Sequence, residues 1–205
     1  MAHFWALIIG YLFGNLLFAM LVGRFWLHQD PTKVGSGNPG TANVGAVFGK
    51  KWGIITCIGD VTKSIAALLI VHYFLPGRLN LLYTGLGLVL GHCFPIWNHF
   101  QGGKGVTIAA ILTISYDLKA GALSLLVALL LMIWLKNLTI PPLTFMLLFT
   151  LYEFTQFTQA GVVLAIITLV MGYKFRFDLR DFFTGQAKRV DVLTTVKKKL
   201  GQLME

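Results

Sequence analysis

Seven apolar runs, separated by short polar segments, make up most of the chain. They cover residues 4–26, 52–74, 79–97, 105–116, 120–135, 138–152 and 158–173. A helix needs about 20 apolar residues to cross a bilayer, and the shortest run, 105–116, is expected to be a short or tilted helix. The first run lacks a positively charged start and is too long for a signal peptide. The pattern therefore predicts an all-α integral membrane protein with seven transmembrane helices in a single domain, residues 1–205.

The composition supports this prediction and excludes other classes of protein. Of the 205 residues, 56% are hydrophobic and 12% are charged, and the mean hydropathy is +0.74. A soluble domain is about a quarter charged and a disordered chain has low hydrophobicity, so neither class fits. The same hydrophobicity excludes a nucleic-acid-binding domain. Cys57 and Cys93 both lie in apolar segments, so no disulfide framework is predicted.

The basic charge is unevenly placed along the chain. There are 17 Lys+Arg and 8 Asp+Glu residues, which give a net charge of +9. Cytosolic loops of membrane proteins are enriched in Lys and Arg. If the N-terminus lies outside, the inner segments hold fourteen of these 17 basic residues. We therefore predict that the N-terminus lies outside and that the C-terminus is cytosolic.

Residues 174–205 form a basic cytosolic tail in this topology. After Val190 the apolar residues fall near one helical face, and Lys197, Lys198 and Lys199 lie largely off it. This pattern is typical of a short amphipathic helix on the inner membrane surface. A frayed tail whose lysines only enforce the topology is an equal alternative.

The first candidate site, residues 34–45, follows the first apolar run and is rich in glycine. Backbone amides of successive glycines can point into one concavity that suits a phosphate. The alternative is a flexible turn between two helices, but the Asn-Pro-Gly sequence and the paired asparagines favour a shaped loop. The residues predicted to contact phosphate here are Gly35, Ser36, Gly37, Asn38, Gly40 and Asn43.

The second candidate site, residues 91–107, follows the third run. In it, Gly102-Gly103-Lys104-Gly105 precedes the fourth predicted helix, and a helix N-terminus beside a lysine attracts anions. The spacing is not that of a nucleotide-binding P-loop. The alternative is that Lys104 only sets the membrane topology and binds no ligand. The three glycines around it make this alternative less expected. His92 is either a site residue or a buried, hydrogen-bonded histidine.

Two ionisable residues lie inside the second run. Asp60 and Lys63 are three residues apart and therefore share one helix face. Such residues usually pair with one another inside a bundle, so we predict a structural ion pair that supports the glycine-rich segments. No His or Cys residues have metal-ligand spacing, and neither a metal nor another cofactor is predicted.

At both motifs the sequence resembles the bacterial acyl-phosphate:glycerol-3-phosphate acyltransferases, the PlsY family. The first family motif, roughly Gly-Ser-Gly-Asn-Pro-Gly-Ala-Thr-Asn, matches residues 35–43 apart from the exchanged pair Thr41-Ala42. The second, Gly-His-x-Phe-Pro and then Phe-x-Gly-Gly-Lys-Gly-Val, matches residues 91–106. Asp60 and Lys63 also stand where the family has Asp and Lys.

The resemblance implies a membrane enzyme of phospholipid biosynthesis. It would transfer a fatty acyl group from acyl phosphate to the sn-1 hydroxyl of glycerol 3-phosphate, giving lysophosphatidic acid and phosphate. The protein would lie in a bacterial plasma membrane, with its site facing the cytosol. Membrane lipids would be further partners, and no CoA, carrier protein or nucleic acid is implied. The oligomeric state stays open, and a monomer is compatible with the resemblance. Ser36 and Lys104 are the implied catalytic residues, and the implied substrate ligands in the second motif are His92, Gly102, Gly103 and Gly105.

The third family motif, near His-Arg-x-Asn-Ile-x-Arg-Leu-x-x-Gly-x-Glu, is largely replaced here. Arg176 is kept and is predicted to bind substrate, and Asp178 stands at the Asn. Phe175 and Ala187 replace the His and the Glu, and Ala46 replaces an Arg after the first motif. The alternative function is a relative with a changed or lost acceptor site, which binds acyl phosphate or lipid as a regulator or acylates another alcohol. A transporter is less expected, because no inverted repeat is present.

Overall fold

A computed structural model describes residues 1–187, and every regular element in that range is a helix. The predicted tail helix after Val190 lies outside the described residues. The elements, in chain order, are α1 (Ala2–Gly14), α2 (Phe18–Val22) with a π-helical extension (Gly23–Leu27), α3 (Thr41–Phe48), α4 (Lys50–Phe74), α5 (Arg78–Cys93), a 3₁₀ turn (Ile96–Asn98), α6 (Val106–Tyr116), α7 (Leu118–Leu135), α8 (Ile140–Gln156), α9 (Thr158–Lys174) and α10 (Arg176–Phe183).

Each of the seven predicted spans coincides with helical structure. Within residues 1–187, four helical segments are long and apolar enough to cross a membrane, namely Ala2–Leu27, Lys50–Phe74, Arg78–Asn98 and Leu118–Leu135. A fifth results if α9 and α10, which are bent by 63° at their junction, count as one span. The all-helical prediction is therefore confirmed for residues 1–187, while the number of seven spans and the orientation stay predictions.

Three features of the helices differ from the prediction. The first span is not continuous, because α1 ends at Gly14 and α2 begins at Phe18. The glycine-rich motif is only partly a loop, since its last residues already belong to α3, where Val44 is buried against α2. The chain after α9 continues as α10 instead of a plain tail. The break between α1 and α2 and the short helices α3 and α10 all depend on contacts with residues distant in sequence. A local hydrophobic pattern does not reveal such contacts.

Helices α1 and α5 pack against each other through glycines. A Cβ atom built on Gly10 would lie 2.1 Å from the Thr84 carbonyl oxygen, and one built on Gly87 would lie 2.1 Å from the Leu7 carbonyl oxygen. Gly14 and Gly91 repeat these approaches one turn further along each helix. Such small-residue spacing lets membrane helices approach closely. The two helices run parallel, because His3 near the start of α1 contacts Asn80 near the start of α5.

We expect Gly87→Ala to destabilise the bundle by about 1–3 kcal/mol, because the added methyl group must push apart two backbones. The measurement is thermal and denaturant unfolding of the purified protein in detergent. Gly172→Ala is the matched control, since no atom lies within 4 Å of a Cβ built there and alanine favours a helix by about 1 kcal/mol over glycine. Equal stabilities of the two variants would contradict the proposed packing role.

Candidate active site

The two glycine-rich motifs lie at the same end of the bundle. The thiol of Cys57 on α4 lies near the hydroxyl groups of Thr41, at the start of α3, and of Thr107, at the start of α6. Thr41 belongs to the first motif, and Thr107 comes three residues after Lys104 of the second. Tertiary packing therefore joins the segments that the sequence places about 60 residues apart.

The first motif is shaped by the side chain of Asn43. The amide oxygen of this buried side chain accepts a hydrogen bond from the Ser36 backbone N–H at 2.8 Å. Its nitrogen donates to the carbonyl oxygens of Pro31 and Val34, at 2.9 and 3.0 Å. Gly35 has a φ of +62°, and a Cβ there would lie 2.2 Å from the Asn43 oxygen. Both N–H donors of the Asn43 amide and one lone pair of its oxygen are used within the loop, so Asn43 supports the loop, and its contact with phosphate stays a prediction.

The remaining polar groups of the first motif are accessible. Ser36 is exposed, and its Oγ lies 3.5 Å from the backbone nitrogen of Asn38. This contact is long for a hydrogen bond, so the hydroxyl is available to a ligand. Just before the motif, the hydroxyl of Thr32 donates to Asp30 Oδ1 at 2.6 Å, and this hydrogen bond lowers the pKa of the Asp30 carboxyl group.

The second motif folds against His92 at the end of α5. The backbone N–H of Gly103 donates to the His92 carbonyl oxygen at 3.0 Å. A Cβ built on Gly102 would lie 2.0 Å from that oxygen, and one on Gly103 would lie 2.2 Å from Nε2 of the His92 ring. Both glycines are therefore needed for close approach. The Gly103 amide, expected to bind phosphate, is instead occupied by His92.

Beneath the second motif lies the predicted ion pair. Lys63 Nζ is 2.7 Å from Asp60 Oδ1, and both side chains are buried. The same ammonium group donates to the Leu16 carbonyl oxygen at 2.6 Å and lies 3.1 Å from Nδ1 of His92. An ammonium group has three donors and no acceptor, so Nδ1 of His92 must accept. We assign the His92 ring proton to Nε2, which faces Gly103.

This ion pair also explains the interruption of the first span. The break between α1 and α2 leaves carbonyl oxygens, both at the end of α1 and in the linking residues, without helical partners. Lys63 Nζ donates to one of them, that of Leu16, and lies 3.4 Å from that of Gly14. A cation at a helix C-terminus is electrostatically favourable. Asp60 and Lys63 thus hold the α1 break against α4 and α5.

Lys104 reaches out of the second motif toward α10. Its Nζ lies 2.6 Å from Oδ1 of Asp178 and 4.7 Å from the centre of the Phe175 ring. The Lys104 and Asp178 side chains are 21% and 35% exposed, so a ligand in the aqueous phase can approach them. Phe175, which stands where the resembled family has a His, is buried beneath the lysine.

Two further basic residues near α10 have different environments. Nζ of Lys174 donates to the carbonyl oxygens of Cys93 and Gly102, at 3.0 and 2.9 Å, and so ties α9 to the second motif. The guanidinium group of Arg176 instead lies over the rings of Tyr173 and Phe177, at 4.1 and 4.3 Å, and donates to the Tyr173 carbonyl oxygen. The role expected for Arg176 as a substrate ligand has no support from this placement.

Sequence reasoning missed the contributions of Lys174 and Asp178. The sequence places Lys174 among the fourteen basic residues of the inner side and leaves open whether it replaces a missing acceptor-binding group, and it shows Asp178 as a departure from the third family motif. The signal available in the sequence was their position directly after the last apolar run, residues 158–173. Polar side chains there lie at the end of a helix, where they can bind neighbouring loops. Among residues 1–187 no group of three or more His, Cys, Asp or Glu side chains could hold a metal ion.

A groove opens beside the second motif. Its volume is about 460 Å³, within the range of about 300–1,000 Å³ usual for small-molecule sites. Apolar side chains of the α2 region and Trp97 form most of the lining, and a few polar groups stand among them. The lining residues are Asn15, Leu16, Leu17, Met20, Leu21, Arg24, Phe25, Trp97, Asn98 and His99. The arrangement suits an apolar chain that carries an anionic group at one end.

Comparisons with known proteins agree on one family. A family model described as glycerol-3-phosphate acyltransferase matches residues 4–185. The chain is 60% identical to "Glycerol-3-phosphate acyltransferase 1" of Lactobacillus acidophilus, over 98% of both chains. It is 35% identical to "Glycerol-3-phosphate acyltransferase" of Pseudomonas aeruginosa, over 88% of this chain and 96% of the relative.

A solved structure shares the fold. It is a crystal structure of PlsY, an integral membrane glycerol 3-phosphate acyltransferase, in its glycerol 3-phosphate form. The TM-score is 0.84 at 26% sequence identity, and the match covers 96% of this chain and 99% of that chain. A second crystal structure of PlsY, in the lysophosphatidic acid form, matches with a TM-score of 0.80 at 26% identity, over 92% of this chain and 95% of that one.

Proposed function

The chain belongs to the glycerol-3-phosphate acyltransferase family, and we propose that it transfers a fatty acyl group from acyl phosphate to the sn-1 hydroxyl of glycerol 3-phosphate. The acceptor and the membrane setting follow from the family, whose members are named for them. The protein is accordingly a multi-pass membrane enzyme. A relative that has lost its acceptor site is not favoured, because two relatives 60% and 59% identical to this chain carry the enzyme's name.

The proposed reaction is an acyl substitution. The sn-1 oxygen of glycerol 3-phosphate forms a bond to the carbonyl carbon of acyl phosphate, and the bond from that carbon to the phosphate oxygen breaks. The hydroxyl proton passes to the phosphate leaving group, so that lysophosphatidic acid and inorganic phosphate result. Acyl phosphate is already activated, so the protein mainly has to orient both substrates and stabilise charge.

The observation that carries this proposal is the convergence of the two motifs at one end of the bundle. Lys104 supplies a positive charge for phosphate, and the exposed Ser36 hydroxyl supplies a hydrogen bond to phosphate or to the acyl carbonyl. Nε2–H of His92 faces Gly103 of the second motif and is, in this proposal, the third donor to the substrate. Lys63 and Asp60 do not touch substrate in this scheme, and they fix His92 and the end of α1.

The topology completes the proposal. With seven spans and an outside N-terminus, the end of the bundle that carries both motifs faces the cytosol, as the distribution of basic residues indicates. The cytosol is where a water-soluble acceptor such as glycerol 3-phosphate would be found. The acyl chain occupies the groove beside the second motif and is reached from the lipid.

A reconstituted assay tests the proposal. Purified full-length protein in detergent is given palmitoyl phosphate with and without glycerol 3-phosphate, and lysophosphatidic acid and phosphate are quantified. We expect both products in equal amounts, and only when the acceptor is present. Phosphate release without lysophosphatidic acid would mean that water or another alcohol is the acceptor, and no turnover with palmitoyl phosphate would rule out acyl phosphate as the donor.

The proposed acyl groove makes a prediction about chain length. Met20→Trp fills part of the groove, and we expect it to lower kcat/KM for palmitoyl phosphate about tenfold while that for octanoyl phosphate changes little. Losing contact with two methylene groups weakens binding by about 0.8 kcal/mol each, and about 1.4 kcal/mol corresponds to tenfold. Leu12→Trp is the control, since Leu12 is exposed on α1 and does not line the groove. Equal losses for both donors would place the acyl chain elsewhere.

A further inference from the structure

The carboxylate of Asp178 lies directly on the lysine of the second motif. The two residues are 74 positions apart, and the 2.6 Å contact between Lys104 Nζ and Asp178 Oδ1 is made from α10, which is bent by 63° relative to α9. Phe175 lies beneath the lysine and limits where its ammonium group can go. The contact is therefore part of how the end of α9 is built.

A phosphate and a carboxylate compete for the same ammonium group. Both offer anionic oxygens to its donors, and short charge-assisted hydrogen bonds of this kind are the strong ones. A phosphate bound at Lys104 would also lie within a few ångströms of the Asp178 charge, and like charges at that distance repel each other. Asp178 must therefore weaken phosphate binding at Lys104, whether it stays in place or swings aside.

We propose that Asp178 is a positioning residue that stands in for phosphate on Lys104 between turnovers. In the substrate-free enzyme its carboxylate holds the lysine in its working orientation over Phe175. Acyl phosphate displaces it, and it returns to the lysine as inorganic phosphate leaves. The inference rests on the proposed function, in which Lys104 binds the phosphate of the donor. Its consequence is that this chain binds product phosphate less tightly than it would with a neutral residue at this position.

An inhibition experiment tests this role with inorganic phosphate as the probe. Full-length enzyme in detergent is assayed at several palmitoyl phosphate concentrations, with and without added phosphate, to obtain the inhibition constant. We expect Asp178→Asn to lower this constant about three- to fivefold, the range of a partly exposed ion pair. The KM for palmitoyl phosphate should fall in parallel, and kcat should not rise, because a tighter product leaves more slowly.

Matched variants separate this effect from general changes in charge. Asp181→Asn removes the same charge from the exposed face of α10 and should leave the inhibition constant unchanged. Asp178→Glu keeps the charge and should retain weak inhibition, and Asp178→Ser provides a second neutral variant if the Asn variant is poorly folded. An unchanged or raised inhibition constant in the neutral variants would overturn the inference. Failure of the proposed function is distinct, since the wild-type protein would then form no lysophosphatidic acid at all.

Discussion

Replacing Lys104 by alanine is expected to lower kcat/KM for acyl transfer about 10²- to 10³-fold. That is the usual loss when one donor that stabilises developing charge is removed. The reason here is that Lys104 is the charged group of the second motif that reaches toward the aqueous end of the site, while Lys174 is held by two carbonyl oxygens. The measurement is initial-rate kinetics with palmitoyl phosphate and glycerol 3-phosphate.

The control is designed to separate chemistry from folding. Lys119→Ala removes an exposed lysine at the start of α7 and should retain full activity. Lys104→Ala also removes the partly exposed ion pair with Asp178, and such pairs contribute about 0.2–1 kcal/mol, so we expect a small fall in unfolding temperature and a protein that still folds. An active Lys104→Ala protein would remove this lysine from the mechanism and, with it, the proposed phosphate site.

Replacing Lys63 by alanine is expected to have the largest effect on stability, with a loss of about 3–5 kcal/mol. Removing one partner of a buried ion pair leaves the other charge uncompensated, and here Asp60 is only 2% exposed. The Leu16 carbonyl oxygen and Nδ1 of His92 lose a donor at the same time. The measurement is the unfolding of the purified variant in detergent, followed by helical circular dichroism.

A double variant provides the control for Lys63. Asp60→Asn combined with Lys63→Met removes both charges at similar volume, and neutral replacements of buried pairs are often tolerated. We expect the double variant to be more stable than Lys63→Ala, though below wild type because the Leu16 carbonyl oxygen stays without its donor. If the single and double variants were equally destabilised, the ion pair would not be what holds this part of the bundle.

Most of the helical architecture was predictable from the sequence. The apolar runs carry few charges, and a helix is the favoured way to satisfy the backbone of such a run in a membrane, whether the run is long enough to span it alone or shorter. The Asp60–Lys63 pair was predictable for a related reason, because two opposite charges three residues apart on an apolar helix have few other partners. Its contacts with Leu16 and His92 were not, since both residues come from other helices.

The residues of the candidate site were predictable from the sequence, but their hydrogen-bond partners were not. The glycines and Lys104 were recognisable as a possible anion site, yet the use of the Asn43 side chain and the Gly103 amide inside the protein depends on close approaches in the folded chain. Arg176 is predicted to bind substrate from its place in a motif, and the structure adds that its guanidinium group lies over Tyr173 and Phe177, so its role as a ligand stays a prediction. A motif records which residues are present, whereas hydrogen-bond partners depend on direction and distance.

The sequence by itself determined that this protein is a helical membrane protein of the glycerol-3-phosphate acyltransferase family, with two anion-suited motifs. These properties depend on hydrophobic run length, local charge and residue spacing, all of which are local along the chain. Only the tertiary structure decided that Lys63 binds the break between α1 and α2, that Cys57 on α4 lies near the threonines of both motifs, and that Asp178 pairs with Lys104. Each of these is a contact between segments distant in sequence, and its geometry is set by how whole helices pack.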